Sequence, residues 1–284
     1  MRISTLLLGA TLATACGKSD DQRHAGSATP TPTTTAPPPA EVASPPPKDS
    51  YKGKNRLVNL LVGKDGKTQP GDVWVRRGFK WSPVKLAENV GFGTASAWFG
   101  VPEHMSPVFL PVGAKPDDKE LSGVGYGKPD EVVTDILMTD RGAPTVVTLY
   151  DASKEMTQAP KPPAAGMGLV VVFAMPLMEF KAALAEKFGG SSFEVGDGTG
   201  ACRPQRDPKM KGLSLGGTST YELDLPPGKA KVSLHRWPGQ GADACKTSVF
   251  DFEVDAVAGK AQWVIVYTPD AGKTLATLAL PIGG

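Results

Sequence analysis

The chain has 284 residues, enough for two domains, and a formal charge of only +2 from 31 Lys and Arg against 29 Asp and Glu. That balance excludes the basic footprint of a nucleic-acid binder and the cationic surface that anionic lipid attracts. Glycine (33) and proline (27) are abundant while aromatics make up 7%, which suits many short strands joined by turns.

Residues 1–15 place Arg2 before a short apolar stretch, Leu6-Leu7-Leu8-Gly9-Ala10, and small residues then lead to Cys16. This is the order of a bacterial lipoprotein signal, and the apolar part is too short to span a bilayer. Cleavage between Ala15 and Cys16 would make Cys16 the first mature residue, acylated (palmitate included) and the sole membrane attachment. Three residues before the cysteine, where Leu is commonest, stands Ala13, with Leu12 one further back. Gly17 replaces the Asp associated with inner-membrane retention, so a lipid-anchored place at the outer membrane or cell surface is expected by analogy. After the signal no apolar run approaches 18 residues, and no transmembrane helix is expected.

Residues 16–50 form the lipidated N-terminus and a Pro/Thr-rich linker, with Thr29-Pro30-Thr31-Pro32 and Pro45-Pro46-Pro47 as its densest parts. So little of it is apolar that burial cannot offset the entropy of ordering. An extended polyproline stalk of about thirty residues could reach roughly 100 Å from the membrane. The Thr/Pro mixture also suits O-glycosylation.

Beyond residue 50 short β-branched and aromatic segments alternate with turn residues. Strands are expected over 56–62, 72–76, 84–87, 96–101, 108–112, 132–138 and 145–150. A second series covers 168–174, 219–225, 230–235, 249–254, 262–268 and 274–280. The fold class is therefore all-β: two tandem immunoglobulin-like sandwiches, 51–155 and 168–284, joined by a Pro/Ala-rich linker over 156–167. Within the second, Leu177, Phe180, Leu184 and Phe188 recur at helical spacing between Pro176 and Gly189, predicting one short amphipathic helix that covers the core.

The two halves read as copies. Gly93-Thr94-Ala95-Ser96 precedes Pro102 at the distance that separates Gly217-Thr218-Ser219-Thr220 from Pro226. Val108-Phe109-Leu110 then matches Val232-Ser233-Leu234, and Thr139 with Thr148 match Thr268 with Thr277. In order, these favour a tandem repeat of about 100 residues per copy.

Cys202 and Cys245 are the cysteines left after Cys16. In an exported chain they are expected to pair, closing a loop of about 44 residues worth roughly 4 kcal/mol on the chain-entropy model. A metal site lacks nearby ligands, since His235 is the one histidine of that region.

Asp72-Val73-Trp74-Val75, then the run from Val84-Lys85-Leu86-Ala87 through Gly93-Thr94-Ala95-Ser96, then Val108-Phe109-Leu110-Pro111-Val112-Gly113 together resemble the bacterial extracellular family named domain of unknown function 4397. The resemblance covers about 56–150, and over 168–281 it rests on the Gly-Thr-Ser-Thr segment and the closing strands. It implies immunoglobulin-like sandwich modules, often tandem on exported proteins, and the family offers no established catalytic residues to carry over. The helix and cysteines of the second half depart from its pattern.

Catalytic motifs are absent from the sequence. Gly66-Lys67-Thr68 and Gly272-Lys273-Thr274 end like phosphate-binding loops, but Leu61 and Tyr267 stand where the required first glycine belongs. No Gly-x-Ser-x-Gly elbow occurs, and Asp197-Gly198-Thr199-Gly200 reads as a glycine turn. His24, His104 and His235 have no metal-ligand spacing, and the latter two read as surface residues. Alternation instead turns Trp74 outward beside Asp72 and Arg76, Trp98 outward with Ser96, and Trp237 onto the face of Ser233 and His235. Exposed aromatics of this kind stack on sugars or anchor protein partners.

The expected role is therefore non-catalytic: binding, adhesion or scaffolding in the cell envelope, with no metal, cofactor or nucleic acid. The expected partners are the membrane, through Cys16, and an envelope glycan or protein. A carbohydrate-binding module using these tryptophans is the first alternative, and a cryptic envelope hydrolase the second.

Overall fold

The computed structural model describes residues 51–63, 66–77, 80–102, 105–114, 131–140, 143–152, 159–174, 192–197, 199–203, 213–214, 220–236, 248–269 and 274–283. All of them belong to one unit, 40–284. The first half supplies β1 (Tyr51–Leu60), β2 (Gly71–Arg77), β3 (Lys80–Val90), β4 (Thr94–Ala95), β5 (Phe99–Pro102), β6 (Ser106–Pro111), β7 (Val132–Asp140) and β8 (Ala143–Ala152). The second supplies β9 (Gly168–Ala174), β10 (Ser192–Gly196), β11 (Leu213–Ser214), β12 (Thr220–Leu225), β13 (Gly228–Arg236), β14 (Ser248–Ala256), β15 (Ala261–Tyr267) and β16 (Ala276–Pro281). The all-β, immunoglobulin-like sandwich class expected from the sequence is what the strands form. The helix predicted over 176–188 lies outside the described residues.

The strands make four sheets. Sheet I is β3-β2-β6, and sheet II is β4-β1-β7-β8 with β5 also on β1. Sheet III is β12-β9-β15-β16, and sheet IV is β11-β10-β13-β14. Sheets II and III share an unusual feature. Each has one parallel pair, β1 with β7 and β9 with β15, inside otherwise antiparallel pairing. β4 and β12 flank the parallel pair on one side, and β8 and β16 on the other.

Of the short sequence matches, part falls on described strands, while Thr218 and Ser219, the matches of Thr94 and Ala95, lie outside the described residues. Thr94–Ala95 is β4 and Thr220 opens β12, while 108–110 lies in β6 and 232–234 in β13. Thr148 pairs with Asp135 and Thr277 with Val266, so the closing hairpins differ by two residues in register relative to Thr139 and Thr268.

Three apolar cores bind the four sheets into one stack. Leu57, Val73, Val90, Phe109 and Leu137 fill the space between I and II. Val172, Leu223, Val232, Phe252 and Val264 do so between III and IV. The third core lies between II and III, joining the two sandwiches: Val58, Leu60, Ile136, Met138 and Leu149 meet Leu169, Val171, Phe173, Trp263 and Ile265. Strand β9 explains its own composition on this basis. Every residue of Gly168-Leu169-Val170-Val171-Val172-Phe173-Ala174 is buried, because one face packs on sheet II and the other on sheet IV. Each fully buried side chain such as Phe173 contributes about 1.5–3 kcal/mol by area.

Turns fasten the stack at its seams. Gly93 takes a φ of 71° and donates its N–H to Asn59 O at 2.8 Å. It brings Phe92 edge-on to Tyr267 of the other half, 6.0 Å between ring centres. The segment between the halves is also held: Ala164 N donates to Asp224 Oδ1 at 2.9 Å, and Gly259 N to Met167 O.

Candidate functional site

Trp74 lies where its strand pattern predicts. Val73 and Val75 are 2% and 0% exposed, so Asp72, Trp74 and Arg76 take the other face of β2. Asp72 is nevertheless buried because its carboxylate is fully used. Oδ1 accepts Asn89 N–H at 3.0 Å, and Oδ2 pairs with Lys85 Nζ at 2.9 Å. Lys85 also lies 3.5 Å from Glu88 and 4.9 Å from the Trp74 ring centre. The hydrogen bond to Asp72 raises the Lys85 pKa, burial opposing it and the two carboxylate charges adding to the rise. One face of the indole is thus already occupied by an ammonium, and Trp74 Nε1 has no hydrogen-bond partner among the described residues.

Trp98 sits elsewhere. Its ring stacks on the Arg56 guanidinium, 4.4 Å from the ring centre. Arg56 is buried, and its side chain shares the sheet III side of β1 with Val58 and Leu60. Its Nε donates to Thr134 Oγ1 at 2.8 Å, and Nη2 donates to Pro281 O at 2.7 Å and pairs with Asp151 at 3.3 Å. Asp151 further accepts from Trp263 Nε1 at 2.6 Å, Thr134 Oγ1 at 3.0 Å and Gly283 N at 3.3 Å. Burial raises the Asp151 pKa against these bonds and lowers that of Arg56. Strands β1, β7, β8, β15 and the end of β16 therefore converge on one carboxylate. These partners all lie within the fold, which makes the centre a fastening between the halves.

A third polar group lies on β13. Ser233 and His235 share a face, with Oγ and Nε2 2.6 Å apart. His235, expected at the surface, is 1% exposed and Ser233 0%. The imidazole lies over Gly196 of β10, where a Cβ would collide with it. Asp251, opposite Ser233 on β14, pairs with Lys231 at 3.1 Å. Its pKa lies below the usual carboxylate range despite partial burial, because Lys231 and Ser248 bond to it and the charges of Lys231 and His235 add to that. A Ser and a His in hydrogen-bond contact have the polarity of an activated nucleophile. This hydroxyl has no solvent-exposed surface, so the arrangement offers no approach for a substrate carbonyl.

Of the predicted tryptophans, the two that are described, Trp74 and Trp98, lie apart. Trp74 faces outward from sheet I, whereas Trp98 reaches the seam between sheets II and III. Ala15, Cys16, Trp237, Cys245, His24 and His104 lie outside the described residues. Cys202 is exposed, bridges to Gly196 and is disulfide-bonded. Sequence reasoning missed Arg56, Asp151 and Trp263. An arginine beside apolar positions of a strand was the available signal for the first, while the partners, 95 residues or more away, carry none.

No family model matches the chain, and no curated protein matches it. Among solved structures it is similar to the Bacillus anthracis TIE protein at 10% identity, covering 76% of this chain and 33% of that one with a TM-score of 0.19. It is also similar to the structure of the streptococcal ancillary pilin at 12% identity, covering 83% and 60% with a TM-score of 0.15. The chain thus spans less than two thirds of either.

Proposed function

We propose that this chain is a lipid-anchored, non-catalytic scaffold or binding protein of the cell envelope, held through Cys16 at the outer membrane or cell surface. The observation that carries the reading is the apolar core between sheets II and III, which fuses two sandwiches into one stiff body. A stiff body on a Pro/Thr stalk presents a surface at a set distance from its anchor, and no moving part is needed for that task. Trp74, half-buried beside Asp72, Lys85 and Arg76 on the outer face of sheet I, is the aromatic that this reading assigns to a partner. In this reading Cys202 pairs with Cys245, and thiol titration of the unfolded, unreduced chain should find no free thiol there.

The test is envelope fractionation with labelled palmitate, comparing the wild type with Cys16→Ser. Label and membrane association lost together in the variant would support the anchor, whereas an unlabelled wild type in the soluble fraction would sink it. Saturable binding to purified cell wall, lost in a folded Trp74→Ala, would place a glycan at that face. Flat binding curves would leave envelope proteins as the partner class.

A further inference from the structure

A cleft of about 380 Å³ opens along β16, two sheets away from Trp74. That volume falls within the roughly 300–1,000 Å³ of small-ligand sites. Val257, Ala279 and Ile282 give it an apolar wall, and Val257 is 53% exposed. Both rims are fastened. On the β14–β15 turn, Gly259 N donates to Met167 O and Leu169 N to Lys260 O, each at 2.9 Å. Past β16, Ile282 N donates to Ala261 O at 2.8 Å and Gly283 N to Asp151 Oδ2 at 3.3 Å. A ligand would therefore meet a formed cleft and spend little on ordering it.

The polar groups of the cleft are backbone at one end and charge at the other. The bond from Ile282 to Ala261 makes these two a hydrogen-bonded pair of the β15–β16 ladder, so the pairs alternate from there. Ala279 and Pro281 thus turn their backbone groups away from β15, toward the open edge. Pro281 has no N–H, and its carbonyl is taken by Arg56 at 2.7 Å. Ala279, which is exposed, keeps both an N–H and a C=O on that side. The same register brings Lys260 level with Gly283, about 13 Å beyond Ala279 at strand spacing. Gln262, opposite Pro281, donates its Nε2 to Asp255 O at 2.8 Å, which sets Asp255 beside the middle of this run. Asp255 and Lys260 are exposed, and neither joins an ion pair among the described residues.

We propose that this cleft binds the free carboxylate end of a short extended peptide. The backbone of the peptide pairs with the N–H and C=O of Ala279, as an added strand does. Pro281 ends that pairing after one residue, so the ladder cannot carry a long strand onward. What lies past it is a cation, and the terminal carboxylate reaches Lys260 after about three or four extended residues. The wall of Val257, Ala279 and Ile282 suits small alkyl side chains, and Asp255 favours a basic over an acidic side chain next to the end.

Titration of the isotope-labelled chain with acetyl-Ala-Lys-Ala, followed by amide NMR shifts, tests this. The comparison peptides are its carboxamide and acetyl-Ala-Glu-Ala. Saturable shifts at Ala279, Gln262 and Gly283 are expected, with the carboxamide bound about three- to fivefold more weakly, as for an exposed charge pair. Lys260→Met should bind acid and carboxamide alike, and Asp255→Asn should lose the preference for Lys over Glu. Glu253→Gln, on β14 but outside the cleft, should bind as the unaltered chain does. No saturable shift below about 10 mM, shifts confined to other residues, or equal binding of acid and carboxamide would overturn the proposal. The peptide comparison uses the unaltered chain, so it stands even where a variant fails to fold. A negative result leaves the Trp74 face untouched, because that face belongs to sheet I.

Discussion

Trp263 and Asp151 lie 112 residues apart in the chain and 2.6 Å apart in space, the indole N–H donating to the carboxylate across the seam between two sandwiches. Trp263→Phe removes that bond to a charged group and some volume at a fully buried position, a loss of about 2–4 kcal/mol. Arg56→Leu leaves Asp151 buried without its cation and costs about 3–5 kcal/mol. Because both act on one carboxylate, the double variant should lose less than the sum. Denaturant titrations read all three, and full additivity would show that the residues do not work through Asp151. The shared core also predicts that both halves unfold in one transition.

Asp135 makes stability depend on pH in an uncommon direction. Burial raises its pKa to about 6, with only the Thr148 hydroxyl, 2.6 Å away, opposing the rise. A carboxyl harder to ionise when folded stabilises most at low pH. That contribution falls away as pH climbs from the unfolded value near 4 to about 6, by roughly 3 kcal/mol in all. Asp135→Asn should therefore be more stable than the wild type at neutral pH and lose this part of the pH profile. Parallel profiles for the two proteins between pH 4 and 7 would refute the assignment.

Two glycines separate backbone strain from crowding. Gly93 and Gly113 have φ of 71° and 85°. A Cβ at Gly93 would stand 3.0 Å from Tyr267 Oη, while one at Gly113 would meet nothing within 4 Å. Gly113→Ala should cost about 1 kcal/mol, from the left-handed backbone alone. Gly93→Ala should cost more, since it also presses on the seam between the halves. Equal losses in thermal melts would mean that Tyr267 yields freely.

Asn55 is 0% exposed, and neither atom of its side-chain amide has a hydrogen-bond partner among the described residues. The ladder sets it between Val133 and Phe99. Asn55→Leu should stabilise the chain by about 1–3 kcal/mol, because an unsatisfied amide in apolar surroundings is replaced by a side chain of similar size. A loss of stability on denaturant titration would show that the amide is satisfied in solution.

Strand positions were legible because each segment carried its own composition. Arg56 to Leu60, Val132 to Met138 and Gln262 to Tyr267 are all where alternation and apolar runs put them. Strands β10 and β11 of sheet IV escaped, being five and two residues long and flanked by glycine and polar residues. Burial of His235 was illegible for another reason. Its alternation with Leu234 correctly assigns it to the face opposite the core, and what shields that face is tertiary. The pairing of Arg56 with Asp151 was equally hidden, since local pattern contains nothing about a partner 95 residues away. Trp74 could be placed by period two alone, but the lysine over its ring could not.

An ordinary sandwich hides its apolar residues between its own two sheets and shows water a polar exterior. Here sheets II and III each have apolar residues on both sides, so each half acts as the other's water-excluding coat. A gene fragment encoding one half would yield a product with a bare hydrophobic wall, fit to aggregate or to seek its missing twin. The folding unit is therefore the couple, and neither half is a module by itself.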